Sequence, residues 1–486
     1  MALPIEGRPA AEVLDELTAS RAADMPTRGG VSWQYSYDAG RDELHDLAVS
    51  AFTAALETNV LDPTTFPSVV ALENDVVGAV GQMLGGDGET AGTFTSGGTE
   101  SIFLAVKAAR DSRPDVERPT MVKPTTAHGA FHKAAHYLGL DIVNVPVDGE
   151  TFKADPAAMA AAIDDSTVLV VASAVSYAHG VLDPVEAIAA AAAERGTLCH
   201  VDACVGGFLL PFLDEPVEPF DLSVPGVTSV SADVHKYGYA PKGASVVLFR
   251  DAELRHASYY CASEWTGYAV INAAVQSSRS AGPLAGAWAV LHHLGDGGYR
   301  EIVRDARQAT RRLIEGVEDI DGLTVLGDPI ATLGAMKGDE RTDVFVVFDE
   351  LRRRGWYLLP QLSFDNSPVN LHFSAFGVSA GRVEELLAAL AESVAAAQER
   401  GPAEPPEDLL AIVRNLDPDA LTPEAFADLL ARVELVDGEG VIRYAEINRL
   451  LDVATPAVRS TVLARYLGAL YSPQVRAQSA AATKLA

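Results

Sequence analysis

Short apolar runs alternate with helix-like segments through the middle of the chain. Three of these runs are VLVVASA (168–174), LCHVDA (198–203) and SVVLF (245–249), and an alanine-rich segment at 185–194 separates the first two. Short apolar runs separated by helices are typical of a parallel sheet that is covered by helices on both faces. The pattern therefore predicts an α/β domain with a strand–helix–strand unit that ends near residue 203.

The same pattern divides the chain into four segments. They are an N-terminal helical arm, a large domain, a smaller α+β domain and an acidic helical extension, over residues 1–60, 61–300, 301–400 and 401–486. The smaller domain is predicted from the apolar run TDVFVVFDE (342–350), a helix after it and VNLHFSAF (369–376). A linker rich in Pro and charge, ERGPAEPPEDL, precedes the extension, and the tail after about residue 474 is expected to be disordered.

Composition narrows the range of partners. The net charge of −30 disfavours binding to nucleic acid and to anionic membrane surfaces, because both are polyanions. The three cysteines, Cys199, Cys204 and Cys261, have no disulfide-framework spacing, which indicates a reducing compartment. No signal peptide, membrane-spanning stretch or metal-binding motif is found, so we expect a cytoplasmic protein without a metal.

The first motif with chemical meaning is FTSGGTESIFLAVKAAR, residues 94–110. Ser96, Gly97, Gly98 and Thr99 lie where an apolar run meets an amphipathic helix. Small residues at a helix start leave backbone N–H groups and the positive dipole end for an anion. A simpler interpretation is that Thr99 and the neighbouring Glu100 cap the helix.

The second motif is HVDACVGGF, residues 200–208. Asp202 ends an apolar run, which places its carboxylate at the carboxyl edge of the sheet, where ligands of α/β proteins bind. An acid at this edge can keep a pyridinium nitrogen protonated. The alternative is an aspartate that begins the turn before Gly206 and Gly207.

The third motif is SVSADVHKYGYAPKGASVVLF, residues 229–249. Lys236 lies between two β-like runs, next to His235 and two tyrosines. Buried or cation-adjacent surroundings lower the pKa of a lysine and favour imine formation, although most lysines are surface residues. Ser-Gly-Gly-Thr, an acid at a strand end and a lysine 34 positions after that acid are jointly far more specific than any one of them.

TSGGTES, HVDAC-GGF and SAD-HKYGYAPKG resemble the sphingosine-1-phosphate lyases, within the group II pyridoxal-phosphate-dependent decarboxylases. The resemblance runs from about Val31 to Phe376. It implies the transferase fold of type I, with a mostly parallel seven-stranded sheet flanked by helices and a smaller α+β C-terminal domain. It also implies the cofactor pyridoxal 5′-phosphate (PLP), and a homodimer with active sites between the subunits.

The resemblance assigns roles to individual positions. Lys236 matches the lysine that carries PLP as a Schiff base, Asp202 the partner of the pyridine nitrogen, and His128 the histidine stacked on the ring, so these three are the predicted catalytic residues. The predicted cofactor-binding residues are these three with Ser96, Gly97, Gly98, Thr99, His235 and Ser278. Ser278 and Arg279, in SSRSAG, match a loop that the facing subunit contributes; a structural ion pair is the alternative for Arg279.

Residues that would hold the substrate depart from the family pattern. The lyases hold a substrate phosphate with a tyrosine, a histidine and the lysine of the APKG turn, which here correspond to Tyr35 or Tyr37, Asp62 and Lys242. A carboxylate about 4 Å from another anion costs on the order of 4 kcal/mol at an effective dielectric of about 20, so Asp62 disfavours a phosphate. Alternatively, Asp62 only starts an Asp-Pro turn. Arg279 completes the set of predicted substrate-binding residues.

Three functions follow from these expectations, each with a small-molecule amine as substrate. The first is a PLP-dependent lyase that cleaves the Cα–Cβ bond of an amino alcohol or β-hydroxy amino acid, through a Schiff base and a quinonoid, to give an aldehyde. The second is an amino-acid α-decarboxylase that uses the same site. The third is a non-catalytic PLP-binding protein.

Overall fold

The computed structural model describes residue 3, residues 5–432 and residues 443–472. The predicted disordered tail after residue 474 lies outside the described residues. Among those described, no helix combines the length and the apolar character needed to cross a membrane.

The large domain is built on a seven-stranded sheet, in the order β1-β7-β6-β5-β4-β2-β3. The strands are β1 (Ala91–Thr95), β2 (Thr120–Pro124), β3 (Asp141–Val145), β4 (Thr167–Ser173), β5 (Leu198–Asp202), β6 (Val227–Ala232) and β7 (Ser245–Phe249). All neighbours pair in parallel except β7, which is antiparallel to both β1 and β6. The predicted α/β fold with a mostly parallel seven-stranded sheet is confirmed.

Helices cover both faces of this sheet. They are α3 (Pro67–Met83), α4 (Gly98–Asp111), α5 (Ala130–Leu138), α6 (Pro156–Ala162), α7 (Val185–Glu194) and α8 (Ala252–Ala257). Every residue of the interior strand β4 is buried, which explains why its sequence is a continuous apolar run rather than an alternating one. The three apolar runs and the alanine-rich helix all lie where the pattern predicts them.

The small domain has a four-stranded antiparallel sheet, in the order β10-β11-β13-β12. Its elements are β10 (Leu323–Val325), β11 (Leu333–Gly338), α10 (Val344–Arg353), β12 (Leu359–Gln361), β13 (Asn370–Ser374) and α11 (Val383–Arg400). A short hairpin of β8 (Tyr260–Ala262) and β9 (Val270–Asn272) precedes this domain along the chain.

The run 342–350 was expected to precede a helix, and it is itself helix α10. Asp343 caps this helix by accepting a hydrogen bond from the Phe345 amide at 2.9 Å. The helix packs between the small sheet, α11 and a later helix, so residues 344–349 are all buried. Because six consecutive residues at the start of this helix are buried, its 3.6-residue period is hidden there, and this part of the sequence resembles a strand.

Helix α9 (Gly282–Glu318) joins the two domains. Its first half packs in the core of the large domain and its second half in the core of the small one. The predicted boundary at residue 300 therefore falls inside this helix, close to its break at Gly295, where φ is 54°.

The N-terminal arm contains α1 (Ala10–Ser20) and α2 (Asp42–Ala54), on either side of an aromatic stretch, VSWQYSY (31–37). Trp33 in this stretch is fully buried in the small-domain core. The backbone N–H of Trp33 donates to the Tyr357 carbonyl at 2.9 Å, and the backbone carbonyl of Trp33 accepts from the Ser374 amide at 2.8 Å. The arm is thus fixed to the small domain.

The C-terminal extension forms α12 (Glu407–Arg414), α13 (Pro423–Arg432), α14 (Tyr444–Val453) and α15 (Pro456–Leu470). Helix α14 packs on α10 through polar contacts. Arg449 binds the buried carboxylate of Asp343 at 2.8 Å, and the Ala445 amide donates to Asp349 at 3.2 Å. Burial raises the pKa of Asp349 to about 6.

Candidate active site

A cavity of about 330 Å³ lies at the carboxyl ends of β4, β5 and β6, against the start of α4. This edge is where ligands bind in open α/β sheets. The cavity is lined by eight of the residues singled out from the sequence, namely Ser96, Gly97, Gly98, Thr99, His128, Asp202, His235 and Lys236. The fold thus brings the three motifs together.

The start of α4 forms one end of the cavity. The N–H groups of Gly98 and Thr99 have no hydrogen-bond partner among the residues that the structure describes, so they are free to bind an anion. A Cβ atom at Gly98 would lie 2.7 Å from the Cys204 Sγ, and Gly97 has a φ of 156°. Only glycine fits at position 98, which leaves the backbone open to a phosphate.

Asp202 lies at the end of β5 and is 8% exposed. Its Oδ1 accepts a hydrogen bond from the Cys204 amide at 3.0 Å, which holds the carboxylate in place at the wall of the cavity. The strand therefore presents a fixed acid across from the helix start.

Lys236 has a partner that the sequence analysis did not single out. Its Nζ lies 2.9 Å from the Oδ2 of Asp233, which is 2% exposed. Burial by itself would lower the pKa of Lys236, but the Asp233 charge outweighs it and raises this pKa well above the ordinary value. The expectation of a lowered lysine pKa is therefore wrong in this structure, because a buried carboxylate three positions earlier pairs with the ammonium.

Replacing Asp233 by asparagine is expected to speed the covalent attachment of PLP near neutral pH. Attachment requires the unprotonated amine, and each unit by which the Lys236 pKa falls raises the unprotonated fraction about tenfold. The gain should shrink as the pH rises toward the range where the wild-type amine also loses its proton. The measurement is the rate of cofactor absorbance change against pH, with Asp148→Asn in an exposed loop as control; equal rates at every pH would contradict this role.

His128 is a neutral side chain at the cavity wall. Burial lowers its pKa, an effect that Asp202 opposes and Lys236 reinforces. Its Nδ1 accepts from the Ala130 amide at 3.1 Å, so the proton of the neutral ring lies on Nε2. The ring can therefore cover a planar ligand and donate one hydrogen bond.

Tyr177 also lines the cavity and was missed by the sequence analysis. Its hydroxyl donates to Gln34 Oε1 at 3.0 Å, its carbonyl contacts His372 Nε2 at 2.6 Å, and its ring stacks on His372 with centroids 4.4 Å apart. Burial lowers the pKa of His372 to about 3, so the stacked ring is neutral. The side chain of Tyr177 is therefore held at the cavity wall by Gln34 from the N-terminal arm and by His372 from the small domain.

Lys242 and Tyr37 lie together near this site. The Lys242 Nζ is 4.2 Å from the centroid of the Tyr37 ring and donates to the His235 carbonyl at 3.0 Å. Both residues line a neighbouring cavity of about 250 Å³. Desolvation lowers the pKa of Lys242 to about 8, and the charge of Lys236 acts in the same direction.

Two other predicted substrate-binding residues, Asp62 and Tyr35, do not line the candidate active-site cavity. Asp62 is exposed, and its carboxylate accepts from the amides and hydroxyls of Thr64 and Thr65, which lowers its pKa to about 2. This is the turn that the simpler interpretation predicted. Tyr35 is 60% exposed and packs against Tyr357.

Ser278 and Arg279 do not line the cavity of their own chain. Ser278 is exposed, whereas Arg279 lines a separate cavity of about 260 Å³ on the other side of Ser96. Arg279 Nη1 donates to the Gln276 carbonyl at 3.0 Å. No ion pair with a carboxylate is found for Arg279 among the residues that the structure describes.

Comparison with protein families finds two matches. Residues 32–333 match the pyridoxal-dependent decarboxylase conserved domain. Residues 407–469 match a putative helix-turn-helix domain at the C-terminus of pyridoxal-dependent enzymes.

Individual proteins are similar over most of the chain. The sphingosine-1-phosphate lyase of Dictyostelium discoideum is 39% identical over 360 residues, 73% of this chain and 68% of that protein. The enzyme of the same name from Saccharomyces cerevisiae is 32% identical over 396 residues, 79% of this chain and 66% of that protein.

Solved structures share the fold. The sphingosine-1-phosphate lyase of Burkholderia pseudomallei has a TM-score of 0.78 at 33% identity, covering 82% of this chain and 93% of that one. Glutamate decarboxylase of Lactobacillus brevis has a TM-score of 0.71 at 20% identity, covering 82% and 95%, which shows a common fold only.

Proposed function

This chain belongs to the pyridoxal-dependent decarboxylase family and is a PLP-dependent lyase, and from this premise we propose that it cleaves the Cα–Cβ bond of an amino alcohol or a β-hydroxy amino acid. The products are an aldehyde and a smaller amine. Similarity to sphingosine-1-phosphate lyases at 32–39% identity supports this choice of bond over decarboxylation.

The residues that line the cavity offer partners for the aldehyde, the phosphate and the ring nitrogen of PLP. Lys236 would bind the aldehyde carbon, the N–H groups of Gly98 and Thr99 the phosphate, and Asp202 the ring nitrogen, with His128 over the ring. Ser96, Gly97 and His235, which line the cavity, would complete the phosphate end, and Ser278 would come from a second copy. PLP, when bound, accepts the electron pair that is left on Cα when a bond to that carbon breaks.

The chain itself supplies orientation and proton transfer. Asp202 would place its carboxylate toward the ring nitrogen, and the Nε2–H of His128 would be available to a group at the cavity wall. Lys236 would be the amine that returns a proton to Cα, and Asp233, 2.9 Å from its Nζ, would hold the proton on that nitrogen.

The unpaired ammonium of Lys242 is the main support for a substrate with an anionic group. Among the residues that the structure describes, no carboxylate forms an ion pair with Lys242, although its Nζ lies beside the active site. An unpaired ammonium at this position suits one anionic group of the substrate, either a phosphate or a carboxylate. Tyr37 would border that group, whereas Asp62, occupied by its own turn, would not repel it; Tyr35 and Arg279 remain candidates at the periphery.

A substrate panel tests the proposed function. Purified protein with PLP is incubated with phosphorylated amino alcohols, β-hydroxy amino acids and plain amino acids, and aldehyde and carbon dioxide are measured together. Aldehyde without carbon dioxide supports the Cα–Cβ lyase. Carbon dioxide without aldehyde would replace it by the α-decarboxylase, and cofactor binding without either product by a non-catalytic PLP-binding protein.

Replacing Lys242 by methionine is expected to raise KM for an anionic substrate about 10- to 150-fold, since a hydrogen bond to a charged group contributes about 1.5–3 kcal/mol. The ammonium loses its charge as the pH rises through about 8, so KM of the wild-type protein should also rise there. Lys242→Arg keeps its charge and should give a flat KM up to pH 9. An equal change of KM for a substrate without the anionic group would contradict this role.

We further propose that two copies form a homodimer in the cytoplasm, and that neither nucleic acid nor a membrane is a partner. The position of Ser278, exposed and outside its own cavity, supports a second copy. The match to a putative helix-turn-helix domain does not by itself favour DNA binding, because residues 407–469 hold 11 acidic residues against six arginines. Two of those arginines, Arg449 and Arg459, bind the small domain instead.

A further inference from the structure

Glu100 joins two segments that are far apart in the sequence. It lies in the first turn of α4 and is 8% exposed. Its Oε2 accepts a hydrogen bond from the Ser96 amide at 2.6 Å, but neither Thr99 nor Glu100 caps the helix at Gly97, so the capping interpretation of the sequence is wrong. Its Oε1 accepts from the Val275 amide at 2.6 Å and from the Gln276 amide at 3.3 Å.

The two segments have different surroundings. Ser96 lies in the turn that lines the cofactor cavity, which we call the phosphate turn (residues 96–99). Val275 and Gln276 belong to the segment between β9 and α9, which we call the rim segment (residues 273–281). Residues 275–278 are exposed, and the far end of this segment is fixed to the stretch before α3, where the Val60 amide donates to the Arg279 carbonyl at 3.0 Å.

The charge of Glu100 would repel a phosphate bound at the same helix start, although the helix dipole stabilises the carboxylate itself in the first turn of α4. Its hydrogen bonds provide the opposing effect, because one carboxylate satisfies three backbone N–H groups from two segments. These hydrogen bonds are part-buried and have a charged acceptor, so losing the carboxylate would be destabilising although Ser96, Val275 and Gln276 are exposed residues.

We propose that Glu100 is a positioning residue that orders the phosphate turn and the rim segment together. Binding of the cofactor phosphate at Gly98 and Thr99 then fixes Ser96, and through Glu100 it also fixes Val275 and Gln276. Loss of the carboxylate uncouples the two segments. This inference rests on the proposed function in one respect, namely that the phosphate of PLP binds at the start of α4.

Glu100→Gln tests this role because a positioning role and a purely electrostatic role predict opposite changes in the affinity for PLP. The amide group of glutamine cannot accept hydrogen bonds on both sides, so PLP should dissociate about tenfold more readily, the ratio for one hydrogen bond to a charged group. If only the charge mattered, PLP would bind more tightly. Pyridoxal, which lacks the phosphate, is the matched ligand, and its dissociation constant should not change.

Amide hydrogen exchange gives a second measurement that does not depend on turnover. Adding PLP to the wild-type protein should protect the rim segment, and the same addition to Glu100→Gln should not. Pyridoxal should leave the rim segment unprotected in both proteins. If Glu100→Gln does not fold, Glu100→Asp, whose shorter side chain cannot reach both segments, should show the same loss of selectivity for PLP over pyridoxal.

The possible failures are distinguishable. Unchanged or tighter PLP binding by the variant, equal losses for PLP and pyridoxal, or full protection of the rim segment in the variant would each overturn the role of Glu100. Failure of the wild-type protein to bind PLP would instead overturn the proposed function.

Discussion

Replacing Lys236 by alanine is expected to abolish turnover and the covalent attachment of PLP. The Nζ of this lysine lines the cavity between the start of α4 and Asp202, and no other lysine lines it among the residues that the structure describes. Loss of an attacking group of this kind lowers rates by about 10³-fold or more. The measurements are substrate turnover and the mass of the chain after borohydride reduction in the presence of PLP.

The control for this experiment is Lys337→Ala, which removes an exposed lysine from the small domain. It should retain full turnover and the added mass of the reduced cofactor. A Lys236→Ala protein that still gains this mass, at a single site and with wild-type turnover, would show that another amine carries PLP.

Replacing Asp202 by asparagine has the second largest expected effect. Asparagine has the same shape and its Oδ1 can still accept from the Cys204 amide, so the end of β5 should keep its conformation. The negative charge opposite the ring nitrogen is lost, and turnover should fall by about 10²–10⁴-fold, the range for removing a fixed charge or a preorganised hydrogen bond from an active site. PLP should also dissociate more easily.

Turnover and the PLP dissociation constant are measured together for Asp202→Asn, with Asp148→Asn as the exposed control. Saturating PLP separates the two effects, because a defect in binding disappears there and a defect in chemistry persists. Turnover that returns to the wild-type value at saturating PLP would remove Asp202 from the chemistry and leave it a binding role.

The parts of the fold that the sequence predicted are those with a strong local signal. Strands β4, β5 and β7 are short apolar runs, and the glycines at 97 and 98 mark the turn before α4. Helix α10 was not predicted because six consecutive buried residues at its start hide the period that distinguishes a helix from a strand. Its cap, Asp343, was the available signal.

In the candidate site, too, the residues that the sequence predicted are those with a local signal. Gly98, Asp202 and Lys236 lie in motifs whose order along the chain already indicates a shared ligand. Asp233 was missed although it lies in the same motif, because the sequence does not show whether a side chain three positions before a lysine faces it. Tyr177 and Gln34 meet only through tertiary packing, since 143 positions separate them.

The contacts between α14 and α10 also determine when the small domain can be completed during synthesis. Asp343 and Asp349 lie in α10, but Arg449 and the Ala445 amide, which bind them, are made about 100 residues later. At the usual 5–20 residues per second, the ribosome needs roughly 5–20 s to reach them. The large domain can fold during this interval, whereas α10 holds two incompletely paired carboxylates until the last helices emerge.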